Sequence, residues 1–330
     1  MPTPASADLG YPTLDNVMKT LDPSGAEAAV IEQLTKFNSL LQDAPFIEGN
    51  QATGHRVTAT TGLPSIGWRR VNEGVANSKA VTDQFDESCG LLAGMSIVDQ
   101  AVLDLNGNGP AYRAGQDRRF MMAMNNEVET GAFYHSTLTN PEKFLGLTAR
   151  LNSSTGTYGS QIVKADSAAS GSDQHSIWLV GWGPETVYMI YPKSSKGGIT
   201  MEDLGKLPVT SSGKTFVAWQ TYWEWKVGLV VADYRYVVRV CNIDTSNFDP
   251  TADIIVPAMI KAYHQLYSTQ GANFRWYMDR KTATYLHLQA RNFAKYQITF
   301  EQVGAEFLMH VLGIPVRITD GLTGTEAVVS

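Results

Sequence analysis

Residues Phe216–Val240 read FVAWQTYWEWKVGLVVADYRYVVRV, and the reading of this stretch decides the fold class. Three of the chain's seven tryptophans, Trp219, Trp223 and Trp225, fall within seven residues of it. Alternation puts them on one face with Val227 and Leu229, and puts Gln220, Tyr222, Glu224 and Lys226 on the other. A period of two over this length predicts a long, half-buried strand. ADY supplies the predicted turn and RYVVRVCNID the returning strand, so residues 215–244 are expected to form one long hairpin. Nothing in it is an obvious nucleophile, metal ligand or phosphate cradle.

Helices and strands flank this hairpin in runs. Residues 110–135 predict one long helix: Pro110 suits the first turn, and Phe120, Met121, Met124, Val128 and Ala132 share a stripe. Before it, CGLLAGMSIVDQAVLDLNGNG predicts a strand and a short helix; after it, IWLVGWG predicts an apolar strand. Residues 184–213 read as connections with little regular structure. Residues 251–292 predict two helices, Thr299 and Gln302 a capping box on a short helix, and EFLMHVLGIPVRITDGL a closing strand with Ile314 and Val316 in the core. Residues 1–22 read as an extended arm. SGAEAAVIEQLTKFNSLLQDAP then predicts a helix, with capping-box spacing at Ser24 and Glu27 and a stripe of Val30, Leu34, Phe37 and Leu41. Runs rather than strict alternation of helix and strand favour α+β over a doubly wound sheet.

Residues 46–88 differ in character. Thr, Gly, Asn and Ser dominate, broken by short alternating pieces such as RVTATT and GWRRV, which predicts a long β-hairpin with a ragged tip. A lone two-stranded ribbon is marginal in water, so this one must lie on another surface or move. His55, Arg56, Arg69 and Arg70 come early in it; Asp83, Asp86 and Glu87 come late.

Composition excludes several classes. A net charge of −6 argues against a protein that grips nucleic acid through phosphate neutralisation. Charged residues are 18% and aromatic residues 10%, a balance that suits a surface facing other protein. Cys89 and Cys241 are expected to be free thiols of a reducing cytosol, and no secretion signal or membrane span is expected. DLNGNG (Asp104–Gly109) opens like a calcium loop, yet Gly115 stands where the bidentate Glu belongs. SSGKT (Ser211–Thr215) lacks the first glycine of a phosphate loop, Pro208 standing in its place, and a strand follows it. GWGPET lacks the third glycine of a dinucleotide turn. The six histidines never come in the close pairs that zinc sites favour. The Met121, Met122 and Met124 cluster reads as core packing before an adaptable binding stripe. Arg118 and Arg119 read as a solvated helix face, with an inter-chain salt bridge as the sharper alternative.

Five pieces carry a more specific signal: FIEGNQATGHRVTATTGLPSIGWRRVNEGV, SIWLVGWG, YPKSSKGG, YWEWKVGLVVADYRYVVRVCNID and FLMHVLGIPVRITDGL. In their order and spacing they resemble the major capsid proteins of tailed bacteriophages with the Hong Kong 97-like fold. Within these they are most similar to the group in short-tailed phages of the epsilon-fifteen kind. The resemblance implies an N-terminal arm and helix at 1–45 and an extended E-loop at 46–88. It implies a peripheral domain at 89–159, carrying a spine helix at 110–135, and again at 206–249. An axial domain would take 160–205 and 250–298, with a closing strand and C-terminus at 299–330.

The resemblance also implies a function. Copies would self-assemble into hexamers and pentamers of an icosahedral head around packaged double-stranded DNA, touched non-specifically from inside. Scaffolding protein and portal are the implied partners, with a cement or decoration protein as a further candidate. No membrane, cofactor, metal or catalytic residue is implied, and the location is the virion, assembled in the host bacterial cytoplasm. Expected inter-subunit contacts are Arg56, Trp68, Arg69, Arg70, Glu73, Asp83, Asp86, Glu87, Arg118 and Arg119. The expected core includes Phe120, Met124, Val128, Trp219, Trp223, Trp225, Ile314 and Val316. Three alternatives stay open on sequence alone: an encapsulin-type compartment shell, an α+β enzyme with an aromatic-lined pocket, and an adhesive β-rich module.

Overall fold

The computed structural model describes residue 36 and residues 38–104, 109–166, 169–211, 213–245, 254–292, 298–303 and 306–330. The chain runs through α1 (Leu40–Asp43), β1 (Phe46–Glu48), β2 (Gly54–Gly62), β3 (Val81–Ser88), β4 (Gly90–Asp99), α2 (Gln100–Leu103) and α3 (Gly109–Tyr134). Next come α4 (Leu147–Arg150), β5 (Ile162–Lys164), β6 (Gln174–Trp182), β7 (Val187–Tyr191), β8 (Thr200–Ser211), β9 (Lys214–Val231) and β10 (Val237–Asp244). The last elements are α5 (Ile255–Gln265), β11 (Asn273–Met278), α6 (Arg280–Asn292), β12 (Ile298–Val303), β13 (Glu306–Val311) and β14 (Ile314–Ile318).

The alternation that opened the reading is realised in β9. Trp223, Trp225, Val227 and Leu229 are buried on one face, in a core shared with Met124, Val128, Ala132 and Phe133 of α3. Phe120 is half-buried against the same core. Trp219 reaches a smaller cluster with Val98, Leu103 and Tyr112, and its indole donates to Gln100 Oε1 at 2.7 Å. Gly94 on β4 lets the helix approach: a Cβ there would sit 3.2 Å from the Phe120 ring. Full burial of each such side chain contributes about 1.5–3 kcal/mol.

The strands join in one large mixed sheet, apart from β2 and β3, which pair only with each other. β9 lies between β4 (Gly90↔Val227 through Asp99↔Ala218) and β8 (Thr200↔Glu224 through Ser211↔Lys214). Its last residues pair with β7. At the centre, β6 has β10 on one edge and β11 on the other. Every residue of β6 is buried. Trp178, Val180 and Trp182 face the α3 core, while Ile177 and Leu179 face a second core under α5 and α6. Ile314 and Val316 of β14 belong to that second core.

Four expectations need correction. Residues 215–244 are not a hairpin, because β9 pairs with β8, β4 and β7 whereas β10 pairs with β6 and β5. Alternation identifies a strand and its buried face but not its neighbour. β10 is buried on both faces from Val237 to Ile243, and only the central sheet, covered on both sides, satisfies that. Residues 184–213 are not mere connections: they contain β7 and the twelve-residue β8. β8 pairs with β9 alone, is mostly exposed, and carries Pro208 and a register shift at Gly205, features that edge strands tolerate and that hide a strand from pattern reading. Thr299 and Gln302 lie in β12, paired with β13, rather than capping a helix. The closing segment is two strands turned at Leu312 and Gly313, whose φ values of 52° and 78° are those of a tight two-residue hairpin turn.

The long helix was expected at 110–135 and spans Gly109–Tyr134. The two helices within 251–292 are α5 and α6, with β11 between them unforeseen. The expected N-terminal arm, the expected helix up to residue 35 with Phe37 of its stripe, and residues 105–108 of the rejected calcium loop lie outside the described residues.

Candidate assembly surface

The β2–β3 ribbon is built from pairings that run from Gly54↔Ser88 to Gly62↔Val81. β2 is rich in Thr and β3 in Asp and Glu, and beneath them Val57 packs half-buried against a small cluster of Tyr188, Ile190 and Val230. Its root is fixed to the body by charge. Glu87 is buried, and the Arg150 guanidinium on α4 grips it twice, at 2.5 and 2.7 Å. Arg150 also donates to the Leu229 carbonyl at 3.2 Å, tying the ribbon root to β9. His55 meets the Tyr188 ring edge-on, with centroids 5.7 Å apart.

Further out the ribbon is mostly exposed, with Val57, Ala59 and Phe85 half-buried. Arg56 and Asp86 pair across it at 2.6 and 2.7 Å, and this guanidinium holds the Asp86 carboxyl below the usual carboxylate range. Asp83 accepts the Thr61 hydroxyl at 2.8 Å. Between the strands, residues 63–80 form an irregular tip, held by Ser78 Oγ accepting the Ser65 amide at 2.7 Å. Arg69 Nη1 donates to the Glu73 carbonyl and the Arg70 amide to Glu73 Oε2, each at 3.4 Å, around Asn72 with φ of 70°. Trp68 is fully exposed, and Leu63, Ile66 and Val71 are each at least 87% exposed. Four apolar side chains this exposed within the nine residues 63–71 are far from the usual state of such residues and make the tip a candidate interaction site.

The ten expected contact residues therefore divide. Trp68, Arg69, Arg70 and Glu73 gather at the tip. Arg56, Asp83 and Asp86 line its shaft with partners on the ribbon itself, and Glu87 sits inside the root. Arg118, exposed, and Arg119, half-buried, stand apart on α3, without an ion pair among the described residues. Between the ribbon root and the body runs a groove of about 1100 Å³, lined by Val57, Phe85, Leu147, Tyr158, Tyr188 and Tyr234 among others. Sequence reasoning missed Leu63, Ile66 and Val71, whose spacing follows no period. It also missed Arg150, whose only signal is spatial.

No group of three or more His, Cys, Asp or Glu side chains suited to a metal occurs among the described residues. No helix among them is long and apolar enough to cross a membrane. The described residues thus form a plate of sheet and helices that carries an exposed ribbon.

Comparison with known proteins identifies the plate. The family model for major capsid protein GP7 matches residues 22–330. The chain belongs to the major capsid protein GP7 family. The solved structure of bacteriophage epsilon15 is similar over 98% of this chain and 99% of that one, at 27% identity and a TM-score of 0.80. The capsid of bacteriophage JBD30 covers 91% of this chain and 99% of its own, at 11% identity and a TM-score of 0.52. The SrpI encapsulin of Synechococcus elongatus PCC 7942 covers 68% of this chain and 94% of its own, at 10% identity and a TM-score of 0.50. The last two show the fold alone. A search of curated proteins finds no match. The capsid subunit thus has the tailed-phage capsid fold that the resemblance implied, and the phage reading is favoured over the encapsulin one. It is a structural protein of the virion that associates with copies of itself in a shell.

Proposed function

We propose that residues 46–88 are the assembly arm of the capsid subunit, the E-loop, and that its tip is completed by an adjacent copy. The exposed apolar side chains of Leu63, Ile66, Trp68 and Val71 carry this reading, because nothing among the described residues covers them. A tip that seats on a different surface of the next copy is a head-to-tail contact, and such contacts close into rings when the rotation is right. The rings are hexamers and pentamers. Each contact is modest by itself; a closed shell engages every subunit several times, so avidity supplies the stability.

The domain layout follows the same reading. The N-terminal part is 1–45; the peripheral domain is 89–159 with 206–249; the axial domain is 160–205 with 250–298; the C-terminal part is 299–330. The two domains share a sheet, since β6 of the axial part pairs with β10 of the peripheral part. Scaffolding protein, portal and a cement protein are the proposed partners of the shell. Packaged DNA is touched from inside without sequence preference, and the acidic balance of the chain keeps that contact loose.

Arg69 and Arg70 steer the tip toward acidic side chains of the neighbour. Replacing both by Glu is expected to abolish closed shells under the electron microscope while leaving the circular dichroism spectrum of the subunit unchanged. Shells of normal yield and size from this double variant contradict the assignment.

A further inference from the structure

A strap formed by residues 38–48 crosses the body and is pinned at three places. Its far end is β1, paired in parallel with β7. At its middle, the Asp43 carboxylate accepts Arg275 Nε at 3.3 Å, Arg317 Nε at 3.1 Å and the Tyr277 hydroxyl at 3.0 Å. Its near end is held by α3. Asn38 donates to Asn126 Oδ1 at 3.0 Å, and the Leu40 amide donates to Glu129 Oε1 at 3.3 Å.

Glu129 is completely buried, and the same Oε1 also accepts the Thr319 hydroxyl. One carboxyl therefore joins the N-terminal strap, the long helix and the C-terminal segment. Its other oxygen, Oε2, is buried without a hydrogen-bond partner among the described residues. An ionised carboxylate here leaves the charge on that oxygen buried without a hydrogen bond, which is costly; the neutral acid avoids most of that cost.

We propose that Glu129 is a proton-operated latch on the strap. Neutral, it stays buried and holds Ser39 and Leu40 against the helix and the C-terminal segment. Ionised, it draws in water, and the near end of the strap opens.

The electrostatics agree with the geometry. Burial pushes the Glu129 carboxyl up to about 7; the Thr319 hydroxyl and the Leu40 and Ser39 amides oppose this, and the Asp320 charge adds to it. In the open state the carboxyl meets water and regains its ordinary value of 4.5. Closure is therefore strongest below that ordinary value, weakens as pH rises toward 7, and changes little beyond. The charged groups around it are accounted for by element. Asp320, on the C-terminal segment, pairs with Arg280 at 3.2 Å. Asp43, on the strap, is held by its two arginines. On α3 itself, His135 faces Glu127 at 3.1 Å and Lys143 at 3.3 Å.

The test is hydrogen–deuterium exchange on the full-length chain, following amides 38–42 from about pH 5 to about pH 8 and correcting for the intrinsic pH dependence of exchange. Protection in the wild type is expected to fall roughly tenfold to a hundredfold across this range. Glu129→Gln, neutral throughout, is expected to stay level. A level wild-type profile, or a fall in Glu129→Gln equal to that of the wild type, overturns the proposal. Thr319→Val removes a donor that favours the ionised form, so the midpoint moves to higher pH. An unmoved midpoint overturns the latch even should Glu129→Gln fail to fold.

Discussion

Glu87 and Asp86 are neighbours in the sequence with opposite fates. Asp86 points along the open ribbon to Arg56, and both side chains are about half exposed. Glu87 points inward, where the Glu87 and Arg150 side chains are 7% and 11% exposed. Truncating one member of a buried pair strands the other charge, so Glu87→Ala is expected to cost about 3–5 kcal/mol in urea unfolding. Asp86→Ala is expected to leave the unfolding midpoint where it is. Equal effects from the two variants would contradict the inside-and-outside division of the ribbon. The sequence placed both carboxylates in one acidic run at the ribbon's end. Strand alternation sends them to opposite faces, but which face meets the body depends on Arg150, 63 residues away. Asp43, Glu129 and Glu326 were illegible for the same reason. Glu326, for example, receives Tyr134 at 2.6 Å and Arg239 at 2.8 Å, partners gathered from distant parts of the chain.

Among the elements, β9 was the most legible and its pairing the least. A period of two fixes which side chains share a face, and Trp223, Trp225, Val227 and Leu229 are all buried as that period requires. Local pattern carries no information about the strand on the other side of the hydrogen bonds. β8, which supplies that partner, is polar, bulged at Gly205 and interrupted by Pro208, so nothing in it announces a strand. The long helix was legible because its stripe of Met124, Val128 and Ala132 repeats at helical spacing against those tryptophans. This layer of sheet on helix forms the larger of the two cores. Trp223→Ala empties a buried site and is expected to cost about 3–5 kcal/mol by chemical denaturation. Val217→Thr, on the same strand but exposed, is expected to change stability by less than about 0.5 kcal/mol. A small effect at Trp223 would contradict its place in the core beneath the long helix.

Seen entire, the subunit is a two-faced sheet with helices on both sides and an arm that the body does not cover. The two cores account for the body's stability without the arm, since no residue beyond the ribbon root enters either of them. The family and the fold were legible from the order of five sequence pieces, and membership of the capsid family confirms that reading. What the arm touches was not legible, because a contact completed by another copy leaves no trace in one chain beyond exposed apolar side chains. The most direct test is an electron cryo-microscopy map of the assembled particle at a resolution that traces residues 63–75. The account predicts that Leu63, Ile66, Trp68 and Val71 lie buried against an adjacent subunit, with Arg69 and Arg70 beside its carboxylates. A tip folded back onto its own body, or standing free in solvent within the closed shell, would contradict it.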